Sequence, residues 1–499
     1  MKLWLSINVL MFLTFGNLYT QVPDTIWTKI HDITLDIDEG DCVRQTSDGG
    51  YIITGNCVPN GLVSHSDVLL LKTDVLGNIE WAKVHGKGFF ESASAVEQTT
   101  DGGYIIAGRA LTGSYPFIDP PISDAWILKT DPAGDTLWTK TYGGDGNEYC
   151  TSVQQTSDLG YIFAGTMNSE YSYPHYEVNE NYEPDSSKAW LIKTDSAGDT
   201  LWTKTYFQRS HGNGVIQTSE GGYMMVGWIF PDDQSNQSDV LLIKTDASGD
   251  TLWTNIVQGE DYEIGYCVRQ TTDGYIVAGQ TKAAGEPYDA LLIKINSSGE
   301  LLWSKTFGGY LSDVSFTVEV ANNEYFVTGS ANGTWWVTAW ADMWAFKTDS
   351  DGNLLWEKIY DIRLCDIAFS GIPSADGGYV ITGMTSHGFG GDLWLAKLHP
   401  NPSGITDNPG TVNDYVLYQN YPNPFNPTTV ISWQLQVSSS VRLAVYTLTG
   451  QRVAILVDKK QPAGSHSIEF DASHFSSGVY FYRLEAGDNI ETRKMILMR

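Results

Sequence analysis

Residues 239–253 read Asp-Val-Leu-Leu-Ile-Lys-Thr-Asp-Ala-Ser-Gly-Asp-Thr-Leu-Trp, and this stretch decides the fold. An apolar run ends at Lys244, a turn rich in Asp and Gly follows, and a second short run carries Trp253. Short apolar or β-branched runs bounded by Gly, Asp and Ser are typical of antiparallel strands joined by tight turns. The stretch therefore predicts two adjacent β-strands.

The same sequence motif recurs along the chain. Each copy is preceded by an apolar run that starts with tyrosine and ends with glycine, as in Tyr51–Gly55. The seven tyrosines are Tyr51, Tyr104, Tyr161, Tyr223, Tyr275, Tyr325 and Tyr379. Their spacing of roughly 50 to 60 residues, with no sustained helical period, predicts units of four antiparallel strands, A to D, as in the blades of a β-propeller. The tyrosine run is strand B, the lysine run is strand C and the tryptophan run is strand D.

The two ends of the repeat region complement each other. The seventh unit has a lysine run at Asp392–Lys397, but proline-rich sequence follows and no tryptophan strand. Thr25-Ile26-Trp27-Thr28-Lys29 differs by one residue from 136–140, where a tryptophan strand is expected. The N-terminal strand should therefore complete the last unit, which removes two exposed sheet edges. We expect an all-β fold, a seven-bladed β-propeller over residues 22–400 closed by the N-terminal strand.

The N-terminus predicts export. Lys2 precedes an apolar run that ends near Phe15, too short to span a membrane, so residues 1–21 are interpreted as a cleaved signal peptide. A buried first helix is the alternative. No other segment is apolar for long enough to be a transmembrane segment, and the five cysteines show neither a metal-ligand spacing nor a disulfide framework.

The charge is concentrated in the repeat region. Residues 1–414 hold 22 basic and 53 acidic residues, a net charge of −31. Such a surface repels phosphate backbones and anionic headgroups, which argues against nucleic acid or a membrane surface as partner. Divalent cations, neutral glycans and a simple need for solubility are all compatible with it.

The wording of the repeat is similar to known propeller families. The Asp-x-x-Gly-x-x-x-Trp ending resembles the quinoprotein-like repeat, and Asp-Gly-Gly-Tyr-Ile-Ile-Ala-Gly at 101–108 resembles the delta-type repeats of secreted bacterial propellers. The resemblance covers roughly residues 24–400. It implies a propeller architecture and singles out no set of residues for binding a quinone.

The C-terminal part differs in composition. After a Gly/Pro/Asn-rich linker at 401–414, short strands and Gly/Pro turns predict a small immunoglobulin-like β-sandwich at 415–499. Tyr421–Pro427, Val445–Gly450, Gly478–Arg483 and the basic end resemble the type A C-terminal sorting domain of type IX secretion. The resemblance implies recognition by the type IX machinery, and release from, or attachment to, the outer surface of a Gram-negative cell. An ordinary adhesive domain is the alternative.

Sequence variation between the repeats points to one face of the disc. The A–B and C–D turns are short and uniform, and we interpret their Asp and Gly as turn residues rather than a calcium loop. The B–C and D–A connections, which share the opposite face, vary in length and carry aromatic residues that suit a glycan or protein ligand. Binding and packing of the loops onto the disc both remain open for them. The candidate ligand-binding residues are Tyr171, Tyr173, Tyr176, Tyr182, Trp335 and Trp336.

Acidic residues recur five positions before the Val-Arg-Gln-Thr-type stretch of strand A. They are Asp38, Glu91, Glu148, Glu263 and Asp366, with Ser210 and Ser312 in units four and six. We expect them to ring the central channel on the variable face. Like charges this close predict either a divalent cation such as Ca²⁺ or, as the favoured alternative, caps on backbone N–H groups.

Three functions are compatible with these patterns. The first is a non-catalytic recognition protein that binds glycan or protein. The second is a propeller hydrolase, lyase or quinone-dependent enzyme with its site at the acidic funnel, and a His or Arg among the funnel carboxylates would favour this function. The third is a structural surface component. Linear catalytic motifs are absent from the sequence and no histidine occupies a repeated position, so enzymatic activity is not predicted.

Overall fold

A computed structural model shows an all-β protein without a helix in the residues that it describes. These are residues 25–399 and 415–498, except 35–36, 59–65, 87–89, 112–121, 145, 169–185, 232–236, 260, 284, 334–340, 364, 387–390, 418–419, 421–424, 436–437, 448–450, 463 and 487–488. Within these ranges no helix is long and apolar enough to cross a membrane. The all-β prediction is confirmed; the predicted signal peptide and linker lie outside the described residues.

In the described part of residues 25–399, twenty-eight strands form seven four-stranded antiparallel sheets, here sheets 1 to 7. Sheet 1 contains β2 (Cys42–Gln45), β3 (Tyr51–Cys57), β4 (Asp67–Thr73) and β5 (Ile79–His85). Sheet 2 contains β6 (Glu91–Gln98), β7 (Tyr104–Leu111), β8 (Ser123–Thr130) and β9 (Thr136–Tyr142). Sheet 3 contains β10 (Tyr149–Gln155), β11 (Tyr161–Met167), β12 (Lys188–Thr194) and β13 (Thr200–Tyr206). Sheet 4 contains β14 (Ser210–Gln217), β15 (Tyr223–Ile229), β16 (Asp239–Thr245) and β17 (Thr251–Val257). Sheet 5 contains β18 (Tyr262–Thr271), β19 (Gly274–Lys282), β20 (Tyr288–Asn296) and β21 (Leu301–Phe307). Sheet 6 contains β22 (Ser312–Ala321), β23 (Glu324–Gly333), β24 (Asp342–Thr348) and β25 (Leu354–Tyr360). Sheet 7 contains β26 (Cys365–Pro373), β27 (Tyr379–Ser386), β28 (Gly391–Leu398) and β1 (Thr25–His31).

The sheets follow one another in a ring. β1 pairs with β28, with Trp27 opposite Lys397, so the N-terminal strand is the fourth strand of sheet 7. The first strand of each sheet contacts the first strands of both neighbouring sheets, and β26 contacts β2. Apolar cores lie between consecutive sheets, including sheets 7 and 1, where Ile53 and Leu71 pack with Leu393. This arrangement is propeller-like.

The repeated tryptophan and tyrosine meet at the junctions between sheets. The fourth-strand tryptophan of each sheet contacts the second-strand tyrosine of the next sheet. Ring centroids are 6.2 Å apart for Trp138 and Tyr161, and 6.1 Å apart for Trp27 and Tyr51, where sheet 7 meets sheet 1. The other pairs are Trp81–Tyr104, Trp202–Tyr223, Trp253–Tyr275, Trp303–Tyr325 and Trp356–Tyr379.

One end of the ring carries the A–B and C–D turns, and we call it the turn face; the other is the loop face. At the turn face the third-strand lysine of each sheet pairs with an acidic residue of the A–B turn. Lys129, for example, is 3% exposed and its Nζ lies 3.0 Å from the Asp101 carboxylate. The repeated lysine therefore ties each A–B turn to its own sheet. The equivalent pairs are Lys72–Asp48, Lys193–Asp158, Lys244–Glu220, Lys294–Asp273, Lys347–Glu324 and Lys397–Asp376.

The C-terminal residues form two further sheets around one core. One sheet contains β29 (Tyr415–Leu417), β30 (Thr428–Leu435) and β33 (Gly464–Asp471). The other contains β31 (Ser439–Thr447), β32 (Arg452–Gln461), β34 (Gly478–Ala486) and β35 (Asn489–Leu497). Trp433 and Phe470 of the first sheet pack in the same buried cluster as Leu443 and Tyr482 of the second.

Candidate functional site

The seven first strands surround a central channel, and the channel contains a cavity of about 120 Å³. Every first strand contributes lining residues, which fall into two layers along the strands. The upper layer lies toward the loop face and the lower layer toward the turn face. Because each strand supplies one residue per layer, seven independent positions determine the chemistry of each layer.

The upper layer is built from bulged residues. In sheets 2 to 7 the register between the first two strands shifts at this level, and in sheet 1 Asp41 directly precedes β2. A bulge adds one residue and re-aims its side chain, here toward the channel. The layer consists of Asp41, Ser94, Thr151, Asn213, Tyr266, Phe316 and Phe369. Sheets 1 to 4 thus supply a polar wall and sheets 5 to 7 an aromatic wall.

The aromatic wall is continuous. The ring centroids of Tyr266 and Phe316 are 5.6 Å apart, and those of Phe316 and Phe369 are 5.7 Å apart. All three side chains are partly exposed although they lie at the centre of the ring, because they face the channel. Three adjacent rings with accessible surface are suited to an apolar or sugar-ring face.

The polar wall is held by hydrogen bonds that leave side-chain capacity for a ligand. Asn56 Nδ2 donates to Asp41 at 2.7 Å, and Asn213 Nδ2 donates to the Gly265 carbonyl at 2.9 Å. Burial and the neighbouring charge of Glu39 raise the pKa of Asp41 well above its ordinary value, and burial raises that of Glu39. Asp41 is therefore a carboxyl group that can keep its proton nearer neutral pH than a surface aspartate.

The lower layer contains four charged residues. At the equivalent strand position the sheets carry Arg44, Glu97, Gln154, Ile216, Arg269, Glu319 and Ile372. Arg269 and Glu319 form a two-point ion pair, with Nε to Oε2 at 2.9 Å and Nη2 to Oε1 at 2.5 Å. Burial raises the pKa of Glu97, whose carboxylate accepts a hydrogen bond from the Gln155 amide. Arg44 and Arg269 line the cavity from this layer.

The predicted ring of carboxylates lies above the cavity and is buried. Asp38, Glu91, Glu148, Glu263 and Asp366 are at most 3% exposed and do not line the cavity. Asp366 accepts hydrogen bonds from the backbone N–H groups of Ile362 and Arg363, at 2.6 and 2.8 Å, and Asp38 accepts equivalent bonds from Ile33 and Thr34. Asp38 and Asp366 thus cap backbone N–H groups of the D–A connections that precede them. A bound cation stays a prediction.

The repeat has one more carboxylate than expected. The sequence pattern predicts Ser312 at this position in unit six. In the structure, Asp313 occupies the position in sheet 6 that is equivalent to Asp366 in sheet 7. Its carboxylate accepts hydrogen bonds from the Gly309 N–H at 2.7 Å and the Asn332 N–H at 2.9 Å. The first residue of the strand-A stretch in unit six is Val318 rather than Thr317, so the position five residues earlier is Asp313. In sheet 4, Ser210 fills the position and its hydroxyl donates to the Tyr206 carbonyl at 2.8 Å.

One of these carboxylates belongs to an acidic cluster. Oxygen atoms of Asp342, Asp361 and Asp366 lie within 4.8 Å of one another at the junction of sheets 6 and 7. Burial raises the pKa of Asp342, and the charges of Asp361 and Asp366 raise it further. The described residues here supply three carboxylates, fewer than the six or more oxygens that calcium requires, so water or other groups would have to complete a site.

The predicted aromatic ligand residues Tyr171, Tyr173, Tyr176, Tyr182, Trp335 and Trp336 lie outside the described residues. Sequence reasoning missed the channel residues, chiefly Asp41, Arg44 and the aromatic wall. The signal is present in the sequence: two residues before the Val-Arg-Gln-Thr-type stretch of strand A, the seven repeats carry six different residue types, Asp, Ser, Thr, Asn, Tyr and twice Phe. Such variation at a position that topology directs inward marks a site.

The C-terminal residues match a family of known function. Residues 419–498 match the secretion system C-terminal sorting domain. The predicted resemblance to a type IX sorting domain is confirmed, so the chain is exported by type IX secretion to the surface of a Gram-negative cell or released from it. Recognition by the type IX machinery follows from the same domain.

No curated protein matches the chain. Among solved structures, PorZ, a surface component of the type IX secretion system of Porphyromonas gingivalis, shares 11% identity and a TM-score of 0.43, covering 94% of this chain and 61% of PorZ. Puromycin hydrolase shares 10% identity and a TM-score of 0.44, covering 80% and 58%. A Bacteroides caccae protein of unknown function shares 11% identity and a TM-score of 0.36, covering 61% and 93%. None of these similarities assigns an activity or ligand to this chain.

Proposed function

We propose that the protein is an exported recognition protein that binds a sugar residue of a glycan in its central channel. The observation that carries the proposal is the division of the upper layer into an aromatic wall, Tyr266 to Phe369, and a polar wall, Asp41 to Asn213. A sugar ring has an apolar face of C–H groups and an edge of hydroxyl groups, so it needs both walls at once. Sugar-binding pockets combine stacking surface with a few oriented polar groups in this way.

The cavity volume supports a small ligand. About 120 Å³ is compatible with a single sugar residue and too small for a folded protein segment. The residues predicted from the sequence, which follow β11 and β23 along the chain, remain candidates for contacts with the rest of a longer glycan: Tyr171, Tyr173, Tyr176, Tyr182, Trp335 and Trp336. A protein ligand of that face is the other form of the recognition hypothesis.

A specific observation also favours the enzymatic alternative. The cavity brings Asp41, a carboxyl whose pKa is raised, together with Arg44 and Arg269. A carboxyl that retains its proton near neutral pH can act as a general acid, and an arginine can stabilise developing negative charge. A polysaccharide hydrolase or lyase would use this same channel, so activity must be measured together with binding.

The test is retention of the mature protein on soluble glycans and insoluble polysaccharides, with calcium or with a chelator, while soluble products are assayed. We expect retention without products, and loss of retention in Phe316→Ala. The matched control is Tyr310→Ala, which removes a fully exposed aromatic ring near the start of sheet 6. Product release that Asp41→Asn abolishes would replace recognition by catalysis. Loss of binding in the Tyr310 variant alone would move the site from the channel to the loop face.

A further inference from the structure

The two arginines of the lower layer have different partners. Arg269 is neutralised by Glu319 through two hydrogen bonds. Arg44 donates one hydrogen bond, from Nη1 to the Val43 carbonyl at 2.9 Å, and within the part of the chain that the structure describes it forms no ion pair. Both side chains line the cavity. Arg44 is thus a partly buried guanidinium at the wall of the channel cavity, and most of its donors have no acceptor among the described residues.

The environment of Arg44 makes an anionic ligand favourable. A charged group taken out of bulk water is costly unless a counter-ion and hydrogen bonds compensate for the lost hydration. Glu97 and Glu319 influence Arg44 through space, but Glu319 is engaged by Arg269 and Glu97 accepts from the Gln155 amide. A carboxylate that entered the cavity would meet a planar fork of N–H donors that matches its two oxygens.

We propose that the ligand of the channel is an acidic sugar residue, a uronate, whose carboxylate binds Arg44 while its ring lies against Tyr266, Phe316 and Phe369. This inference rests on the proposed function and narrows it, because a neutral sugar would use the two walls of the upper layer and leave Arg44 without a partner. The hydroxyl groups then face Asp41, Thr151 and Asn213 in the polar wall.

The acidic surface does not exclude such a ligand. The net charge of −31 over residues 1–414 acts over distances at which salt screens it, about 8 Å at physiological ionic strength. Within the cavity, the nearest charged groups determine the electrostatic interaction with a ligand, and the basic residues that line the cavity are Arg44 and Arg269. The raised pKa of Asp41 works in the same direction, because a protonated carboxyl does not repel a carboxylate and can donate a hydrogen bond to it.

The experiment compares acidic and neutral monosaccharides of the same ring, glucuronic acid with glucose and galacturonic acid with galactose, by calorimetric titration of the chain from residue 22 to residue 499 at pH 7. We expect one uronate to bind roughly tenfold or more tightly than its neutral counterpart, as for hydrogen bonds to charged groups. In Arg44→Gln the ratio of the two affinities should fall close to one, and Arg44→Lys, which keeps charge but not the fork, should be intermediate. Arg442→Gln, in the C-terminal domain and about half exposed, is the control.

The outcomes separate this inference from the proposed function. Equal affinity for acidic and neutral sugars in the unchanged protein would overturn the uronate assignment and leave sugar binding in place. A uronate preference that persists in Arg44→Gln would overturn the role of Arg44. No binding of any sugar or glycan would overturn both. Melting temperatures of the variants show whether each remains folded, and the Arg44→Lys result carries the test if Arg44→Gln does not.

Discussion

The indole of Trp138 covers the α-carbon of Gly198 in the neighbouring sheet, so that a β-carbon added to Gly198 would lie 2.7 Å from Cη2 of the ring. The contact repeats around the structure. Each glycine belongs to a C–D turn and has a positive φ, +78° at Gly198. The repeated Asp-x-x-Gly…Trp motif therefore forms the junctions between sheets. The glycine of each C–D turn packs against the tryptophan ring of the preceding sheet. The equivalent pairs are Trp27–Gly77, Trp81–Gly134, Trp202–Gly249, Trp253–Gly299 and Trp303–Gly352.

Gly198→Ala is predicted to destabilise the propeller-like region through two effects. The left-handed conformation costs an L-residue about 1–2 kcal/mol, and crowding against Trp138 adds about 1–3 kcal/mol. Gly49→Ala is the matched control, because Gly49 has a φ of +88° but nothing within 4 Å of the added carbon. Chemical denaturation should give a clearly larger loss for the Gly198 variant. Equal losses would mean that the indole moves aside without cost.

The N-terminal strand is predicted to contribute as much as an internal one. Trp27→Ala removes contacts with Tyr51 and Gly77, as Trp138→Ala removes contacts with Tyr161 and Gly198. Since both rings are partly buried, each variant should lose about 2–4 kcal/mol of unfolding free energy. Leu137→Ala, at a side chain that is 58% exposed, should lose about 0.5 kcal/mol or less. A Trp27 variant as stable as the Leu137 variant would show that the contacts of Trp27 with sheet 1 contribute no stability.

The fold was predictable because its determinants are local and repeated. Tyr51, Lys72 and Trp81 recur in the other sheets and occupy equivalent positions, so the repeats act as an internal alignment. The channel site was not predictable in the same way, because Asp41, Tyr266 and Phe316 share no residue type and meet only when seven strands converge. The acidic ring illustrates an intermediate case. Its positions were found from spacing, but whether Asp366 faces the channel or caps the Arg363 N–H depends on the D–A connection.

Loss of the Asp376 carboxylate is predicted to cost far more than loss of its equivalent in sheet 2. Lys397 is fully buried and its partner Asp376 is 15% exposed at the side chain, whereas Asp101, the partner of Lys129, is 58% exposed. Asp376→Asn removes the carboxylate that pairs with the buried Lys397 ammonium, at a cost of about 3 kcal/mol or more. Asp101→Asn lets water replace the carboxylate and should cost about 1 kcal/mol or less. Urea denaturation of both variants checks the order, and similar losses would contradict it.

The two faces are predicted to respond oppositely to acid. Burial raises the pKa of loop-face carboxyls such as Asp342, so their contribution to stability is complete at low pH and is lost as pH rises through the raised value. Hydrogen bonds and Lys129 hold the pKa of Asp101 below its ordinary value, so its contribution is present at neutral pH and is lost as pH falls below about 4.

Paired variants isolate these contributions from those of other groups, among them His31 and His85, whose pKa values burial lowers. Between pH 7 and pH 4.5 the unchanged protein should gain unfolding free energy relative to Asp342→Asn. Below about pH 4 it should lose unfolding free energy relative to Asp101→Asn. Melting curves across this range measure both differences, and a pH-independent difference for Asp342→Asn would show that its carboxyl titrates at its ordinary value.

The cation hypothesis for the loop-face carboxylates makes its own prediction at the same cluster. Oxygens of Asp342, Asp361 and Asp366 lie within 4.8 Å, and a bound Ca²⁺ would offset the mutual repulsion of these carboxylates. A ligand present at about 100 times its dissociation constant adds about 2.7 kcal/mol to the folded state. Millimolar calcium at pH 7 should therefore raise the melting temperature of the unchanged protein, and Asp342→Asn should reduce the rise. Potassium chloride at equal ionic strength separates binding from screening. If calcium and potassium have the same effect, the carboxylates act only as caps of the D–A connections, and the hydrogen bonds that Ile362 and Arg363 donate to Asp366 account for its burial.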